Sequence, residues 1–261
     1  MGSFRQGSGR HHQIGGRTAP AIGLIHVMTT SRQTLVRAAA RNNAEWCAAM
    51  CRAHGVVGEF GAEAWAAALR TPLYYPDAVA LGPDADPYAL IARIDTASPG
   101  ASVKDSFADL ELAAAGFHVL FEAQWVHRPA GAPTPSSDLA WDVVGDSGTL
   151  RTWARAWDDG AGDADLFRDG LLADPGTFVI SGRSADGRVV AGAVATRSEQ
   201  VVGVSNVFGP PHAAWPLVLH ALGGLFPTLP VVGYEQGDDL TVALRHGFEP
   251  IGPLRVWTHG G

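Results

Sequence analysis

Three short groups of polar residues stand directly after apolar segments of the chain, where predicted strands end. The groups are Lys104, Asp105 and Ser106; Ser205 and Asn206; and Tyr234, Glu235 and Gln236. At such places a carboxylate can act as a general base, and an amide or phenol can donate a hydrogen bond to a developing oxyanion. A lysine can hold a substrate carboxylate or phosphate. These residue types point to proton transfer and carbonyl chemistry, while the alternative is that they only cap strands and start turns.

The other reactive residues give weaker signals. Cys47, Cys51 and His54 fall on one face of a predicted helix at spacings that could ligate zinc. No fourth ligand is apparent and free cysteines are among the most buried residues, so we expect a plain core face and no metal. The chain has no Gly-x-Ser-x-Gly elbow, Walker loop or dinucleotide fingerprint. Two thiols cannot build a disulfide framework, which favours a reducing, cytoplasmic location.

Composition limits the class of protein. The 261 residues are 46% hydrophobic and 17% charged, which is enough apolar material for a sizeable core and too little charge for a disordered chain. The net charge of -7 does not attract a polyanion, and no apolar run approaches the length of a membrane span. Composition therefore favours a soluble protein that acts on a small molecule, with no membrane partner, and it argues against nucleic acid.

Hydrophobic periodicity organises the chain into two halves joined by a Pro- and Ala-rich linker over 129–138. In the first half we predict helices over 31–54, 61–70, 88–94 and 107–115, and strands over 77–81, up to Lys104, and over 116–127. In the second half we predict helices over 147–157, 163–172, 213–225 and 238–246, and strands over 140–146, 177–208 (three), 229–235 and 248–257. Such alternation predicts a mixed sheet with helices on its faces.

The two halves carry the same landmarks in the same order, which predicts an internal duplication. Each has a Gly-Pro pair, a helix, a strand, a second helix, a Gly-Phe pair and a strand that closes on a tryptophan, Trp125 or Trp257. If the halves are copies, these closing strands occupy equivalent places. The predicted counterparts of Tyr234, Glu235 and Gln236 are then Lys104, Asp105 and Ser106.

The second half resembles the GNAT (GCN5-related N-acetyltransferase) family, through its element order and its closing segment ALRHGFEPIGPLRVW. The resemblance implies an α/β (α+β) fold of two GNAT-like lobes, each a mixed sheet flanked by helices, with the N-terminal lobe truncated. The corresponding division is a disordered leader over 1–27, a degenerate lobe over 28–128, the linker over 129–138 and a GNAT-like domain over 139–261.

In this family two neighbouring strands splay apart, and the gap holds the pantetheine arm of an acyl thioester while an amine attacks it. The resemblance therefore implies an N-acyltransferase that acts on a small-molecule amine. The residues expected to serve it are Glu235, Tyr234 and Asn206 as catalytic groups; Ser205, Val207 and Phe208 as donor-binding residues; and Lys104, Asp105 and Ser106 as substrate-binding residues.

The sequence departs from the family pattern at two places. The loop whose backbone amides usually hold the pyrophosphate reads GPPHAAW here, and Pro210 and Pro211 have no N–H to donate. A tyrosine that commonly protonates the leaving thiolate is replaced by Ala243, and by Leu112 in the first half. We therefore expect a donor held without strong phosphate contacts, either acyl-CoA or the pantetheine of an acyl carrier protein, which is then a candidate partner.

Two other functions remain open at this point. A GNAT-like domain that has lost its donor loop could persist as a non-catalytic module that binds a ligand or a partner, which accounts for both missing motifs. Tandem GNAT-like folds without this loop also resemble aminoacyl-tRNA-dependent transferases. The acidic net charge and the lack of a basic stripe count against tRNA.

Overall fold

A computed structural model describes residues 21–158 and 163–260, with residues 21–31 described by their backbone alone. The strands are β1 (Gly58–Phe60), β2 (Ala64–Ala67), β3 (Ala78–Ala80), β4 (Ser102–Asp105), β5 (Phe117–Arg128), β6 (Ala140–Val143), β7 (Thr177–Arg183), β8 (Val189–Arg197), β9 (Val202–Phe208), β10 (Val231–Glu235) and β11 (Glu249–His259). The helices are α1 (Ala21–Ala53), α2 (Pro87–Ile91), α3 (Ser147–Trp157), α4 (Pro211–Leu225) and α5 (Gly237–Arg245). Within these described ranges, none of the helices combines the length and hydropathy that a membrane span requires.

All the described strands join one sheet in the order β1-β2-β3-β4-β11-β5-β10-β9-β8-β7-β6. The pairs β3–β4 and β9–β10 are parallel and the other neighbours are antiparallel. The closing strands β5 and β11 pair with each other, while β11 also pairs with β4 and β5 with β10. Each closing strand thus lies beside the parallel pair of the other half. The mixed α/β class is confirmed, whereas the division into lobes at 28–128, 129–138 and 139–261 stays a prediction.

The strand registers adjust the predicted equivalence of the two halves. On β10, Tyr234 lies opposite Trp125, and on β4, Val103 lies opposite Trp257. If the two tryptophans are equivalent, the counterpart of Tyr234 is Val103. Lys104 then corresponds to the residue after Tyr234, and not to Tyr234 itself as the sequence landmarks predict. The equivalence shifts by one residue because strand register, which the local sequence does not determine, decides which residues lie opposite the tryptophans. The duplication itself stays a prediction.

Three predicted helices are wrong. The segment 61–70 contains strand β2, whose four residues are all buried and pair with β1 on one side and β3 on the other. Its alanines favour a helix by intrinsic propensity, and pairing within the sheet outweighs that preference. The segments 107–115 and 163–172 contain only short 3₁₀ turns, at Ala113–Ala115 and Asp169–Leu171.

The helices cover the two faces of the sheet. Along β8, Val194 packs with α1 and α3, whereas its neighbours Ala193 and Ala195 pack with α4 and α5. Because successive residues of a strand point to opposite faces, these helix pairs lie on opposite sides. The predicted helix over 31–54 is confirmed as part of α1. Residues 1–20 of the predicted leader lie outside the described residues, while the helix already begins at Ala21.

Helix α1 approaches the sheet closely at β9. Asn42 donates from Nδ2 to the Thr196 carbonyl and to Ser198 Oγ, both at 2.7 Å. Gly203 on β9 makes room for this side chain, since a Cβ there would lie 1.7 Å from Asn42 Oδ1. The next residue on the helix, Asn43, reaches the end of β4 and accepts a hydrogen bond from Lys104. The helix therefore ties the two halves of the sheet together beside the candidate site.

Candidate active site

The parallel strands β9 and β10 separate after only two residue pairs. They pair at Val202 with Val231 and at Gly203 with Val232, and both strands then continue without pairing to each other. In the first half, β3 and β4 also pair at two positions, Ala78 with Val103 and Val79 with Lys104, but each of these strands ends one residue later. Among the described parallel pairs, the gap therefore opens in the second half, as the family resemblance implies.

Strand β9 carries an irregularity at the mouth of this gap. Its register with β8 shifts between Ser205 and Phe208, which is a β-bulge. Within it Asn206 has a φ of 53°, in the left-handed region that asparagine tolerates better than most residues. Bulges re-aim side chains and are common next to active sites. Here the bulge brings Asn206 to the lining of the cavity that fills the gap.

A cavity of about 570 Å³ occupies the gap, within the size range of small-molecule sites. The predicted site residues that line it are Ser205, Asn206, Val207, Phe208, Tyr234, Glu235 and Lys104. Two further predicted residues, Asp105 and Ser106, do not line it. The structure thus brings the predicted catalytic and donor-binding groups together with one predicted substrate-binding residue.

Glu235 lies at the end of β10, half-buried in this cavity. Burial raises the pKa of its carboxyl to about 7, and the negative charge of Asp239 on α5 adds to the rise. A carboxyl with a pKa near neutrality can exchange a proton with a substrate at physiological pH. Its position and its proton affinity both fit a general base.

Lys104 is a buried cation with neutral neighbours. The residue is 3% exposed, Nζ donates to Asn43 Oδ1 at 2.8 Å, and the ammonium lies 4.1 Å from the centre of the Tyr234 ring. Among the described residues, no carboxylate lies within ion-pairing distance of it. Burying an unpaired charge is costly, because the lost hydration is not replaced. An anion that enters the cavity would form an ion pair with the Lys104 ammonium.

Asp105 and Ser106 hold the chain that follows β4. The carboxylate of Asp105 accepts hydrogen bonds from the backbone N–H of Asp109 and of Leu110, at 3.2 and 3.1 Å. It also forms an ion pair of 3.6 Å with Arg255. The carbonyl of Ser106 accepts a hydrogen bond of 2.8 Å from Trp125 Nε1. These contacts hold Asp105, at the end of β4, and Ser106, at the start of the next loop, outside the lining of the cavity.

Tyr75, in the loop before β3, is a candidate site residue that the sequence did not reveal. It lines the cavity near Asn206, and its buried hydroxyl has no hydrogen-bond partner of good geometry among the described residues. Burial raises the pKa of this phenol well above its usual value, so the hydroxyl keeps its proton. An orphaned donor of this kind is available to a ligand. The sequence of its segment, TPLYYP, indicates only a connection between two elements.

The cysteine-rich face of α1 has no metal-binding geometry. Cys47 and Cys51 are buried, and His54 Nε2 lies 2.8 Å from the Leu166 carbonyl. Across the described ranges, no group of three or more His, Cys, Asp or Glu side chains could hold a metal ion. Cys47 also lines the cavity, and burial raises the pKa of its thiol. It therefore presents a neutral thiol to the cavity.

The start of α4 offers few free amides at the place where the family usually binds pyrophosphate. Pro210 is the N-cap and Pro211 the first helical residue, so neither has an N–H. The N–H groups of Ala213 and Ala214 both donate to the Pro210 carbonyl at 2.8 Å. Ala243 on α5, where the family often has a tyrosine, is fully buried in the core cluster that also contains residues of α4. Both departures noted in the sequence thus hold in three dimensions.

Solved structures resemble this chain in fold. A GCN5-related N-acetyltransferase from Kribbella flavida matches with a TM-score of 0.56 and 16% identity, covering 85% of this chain and 96% of that one. A functionally unknown conserved protein from Staphylococcus epidermidis ATCC 12228 matches with a TM-score of 0.52 and 11% identity, covering 67% and 77%. A GNAT-family protein from Novosphingobium aromaticivorans DSM 12444 matches with a TM-score of 0.51 and 14% identity, covering 78% and 92%.

These likenesses show that the chain has a GNAT fold, as the resemblance of its second half implied. No protein-family model and no curated protein matches the sequence. The fold therefore stands on the structural likeness, and the function has to be argued from the site.

Proposed function

We propose that this protein is an N-acyltransferase that moves an acyl group from a thioester to the amine of a small molecule. The observation that carries the proposal is Glu235, a carboxyl whose pKa is raised to about 7 by burial, at the open end of the strand gap. General bases work best when their pKa lies near the operating pH. The GNAT fold supports the same class of reaction, because one of the similar structures is an N-acetyltransferase.

The groups in the cavity suffice for each proton transfer of this reaction. The Glu235 carboxylate accepts a proton from the substrate ammonium, and the free amine attacks the thioester carbonyl to form the C–N bond. Asn206 and Tyr234 donate hydrogen bonds to the oxyanion. When the C–S bond breaks, its electrons stay on sulfur, and the Tyr75 hydroxyl passes one proton to the thiolate as it receives one from the attacking nitrogen, so the phenol stays neutral. Glu235 then releases its proton to solvent, so the products are an amide, a thiol and one proton.

The donor in this proposal is an acyl thioester whose pantetheine arm lies in the gap beside Ser205, Val207 and Phe208. The start of α4 adds little, because Pro210 and Pro211 have no N–H and the amides of Ala213 and Ala214 are already bonded. Affinity should therefore come from the pantetheine arm and not from the diphosphate. Acyl-CoA and the pantetheine of a carrier protein both satisfy this requirement.

Isothermal titration with acetyl-CoA and with S-acetylpantetheine tests the donor. We expect both to bind with dissociation constants within about tenfold of each other, since the phosphates contribute little. Ser205→Phe fills the gap and should weaken both, whereas Ala185→Phe, in the exposed turn between β7 and β8, is the matched control. Failure of both thioesters to bind would rule out the thioester reaction.

A second candidate function is a non-catalytic module that binds a small ligand in the same cavity. The proline-blocked start of α4 and the buried Ala243 favour it, because both remove groups that the family uses. A thioester that raises the melting temperature without any turnover would support this candidate over the enzyme.

A further inference from the structure

A second cavity of about 530 Å³ adjoins the first on the side of β4, β5 and β11. The residues that line both cavities are Tyr74, Tyr75, Pro76, Lys104 and Tyr234. The two cavities therefore meet at the Lys104 ammonium and the Tyr234 ring. A ligand in the second cavity can reach the strand gap at this junction.

Lys104 lines the second cavity and, among the described residues, has no oppositely charged partner. The other charged side chain in its lining, Arg70, forms an ion pair of 3.1 Å with Asp77 and donates to the Gly100 carbonyl. Lys104 has three N–H donors, with one neutral acceptor at Asn43 and the face of a ring. The ammonium is thus a buried cation that can still donate to an anion.

The mouth of the second cavity is apolar. Leu73, Tyr74 and Leu120 line it and are 70%, 69% and 58% exposed. Tyr74 has a φ of 72°, in a region that bulky residues rarely occupy, and such backbone strain clusters at ligand sites. Exposed apolar side chains around a concave opening are typical of a binding site for an apolar group.

From this arrangement we infer that the acyl acceptor is a small amine that also carries a carboxylate and an apolar group. The carboxylate binds Lys104 at the junction, the apolar group fills the second cavity, and the amine faces Glu235 in the first. A carboxylate fits better than a phosphate, because a single ammonium balances one negative charge and, in the described part of the chain, no arginine with free donors lines the second cavity. This inference rests on the proposed function only where it calls the ligand an acyl acceptor.

Binding without any thioester tests the anion site separately from acyl transfer. The probes are 3-phenylpropanoate, the neutral 3-phenylpropan-1-ol and the dianionic 2-phenylethylphosphonate, measured by isothermal titration. We expect the carboxylate to bind about tenfold or more tightly than the alcohol. Equal affinity of carboxylate and alcohol would overturn the anion site, and tighter binding of the phosphonate would overturn the choice of carboxylate.

Lys104→Met removes the charge and keeps most of the volume. We expect it to abolish the preference for the carboxylate, leave alcohol binding unchanged and raise the melting temperature, because an unpaired buried charge is gone. A purely structural lysine would give the reverse, a lower melting temperature with the preference intact. If this variant does not fold, Leu120→Glu at the exposed mouth should weaken the carboxylate alone, and Leu69→Glu, exposed but outside the cavity, should not. An unchanged carboxylate affinity in Leu120→Glu would contradict the inference.

These experiments separate the two proposals. A carboxylate preference that depends on Lys104, together with no acyl transfer to any amine, would contradict the proposed enzyme and keep the anion site. Acyl transfer that is equally fast with 2-phenylethylamine and with L-phenylalanine would contradict the acceptor class and keep the enzyme.

Discussion

The ionisation of Glu235 decides whether the cavity can accept a proton from an amine. If Glu235 is the base, kcat/KM should rise with pH through an apparent pKa of about 7. Glu235→Gln should lower kcat by about 100-fold or more and remove this limb of the profile. Asp239→Asn removes the neighbouring charge that raises the pKa, so it should move the limb to lower pH while the reaction continues. If kcat/KM of Glu235→Gln still rises with pH through the same range, the titrating group is not Glu235.

The same carboxyl makes stability depend on pH. Because the pKa of Glu235 rises from its ordinary value of 4.5 to about 7 on folding, the folded state holds its proton more tightly than the unfolded state. Its contribution to stability is complete below pH 4.5 and is lost as pH rises through 7. Urea unfolding should show the wild type losing stability relative to Glu235→Gln across this window. If the free energies of unfolding of the two proteins change with pH in parallel, the pKa of Glu235 is not raised in the folded state.

Substitution of Tyr75 should lower activity without lowering thermal stability. Among the described residues its buried hydroxyl has no hydrogen-bond partner of good geometry, so Tyr75→Phe should leave the melting temperature unchanged or raise it. The same change removes the proposed proton donor and should lower kcat by about 10-fold to 100-fold. Thermal unfolding and steady-state kinetics measure the two effects. A lower melting temperature with unchanged kcat would make Tyr75 a structural residue.

Sequence reasoning found part of this site because of where its residues stand along the strands. Tyr234 and Glu235 end an apolar strand, and such ends commonly face a ligand. Asp105 follows Lys104 directly, but its carboxylate accepts hydrogen bonds from the backbone of the next loop, so only Lys104 lines the cavity. Tyr75 lies in a connection far from the second half in sequence, and only tertiary packing brings it to the gap.

At the scale of elements, the close contact of α1 with β9 should tolerate no side chain at Gly203. An added Cβ would lie 1.7 Å from Asn42 Oδ1, so helix and strand would have to move apart. We expect Gly203→Ala to lower the free energy of unfolding by about 1–3 kcal/mol, as overpacking usually does. Gly145→Ala is the control, because nothing lies within 4 Å of its added Cβ. Equal effects of the two substitutions in urea unfolding would contradict this contact.

The elements were predicted well where periodicity is long and poorly where segments are short. The long amphipathic pattern of α1 and the apolar runs of β9 and β10 correspond to elements of the predicted type. The local sequence of β2, three alanines and a tryptophan, predicts a helix, whereas its strand conformation depends on pairing with β1 and β3. Local propensity cannot include partners that are distant in sequence.

At the scale of the whole molecule, the exchanged closing strands should make the two halves one cooperative unit. β11 pairs with β4 and β5, and β5 pairs with β10, so separating the halves would expose long strand edges. A protease site inserted into the linker over 129–138 lets the chain be cut after folding. The fragments should stay associated on size exclusion and unfold in a single thermal transition. Dissociation without denaturant, or two separate transitions, would show independent lobes.

This exchange of strands lay beyond sequence reasoning. Hydrophobic alternation identified β5 and β11 as strands and placed Trp125 and Trp257 near similar points, but periodicity carries no information about which neighbour a strand chooses. The pairing follows from global packing, in which α1 spans the sheet and the two closing strands meet at its centre.

The most direct test of the proposed function is a turnover measurement under one set of conditions. The protein is incubated at pH 8 with acetyl-CoA or S-acetylpantetheine and a panel of amines that includes L-phenylalanine, and thiol release is followed together with product mass. The proposal predicts thiol release matched by an N-acetylated amine, and a loss of both in Glu235→Gln at unchanged thermal stability or higher. Thiol release no faster than in buffer with every donor and acceptor, or equal rates in the wild type and Glu235→Gln, would contradict it.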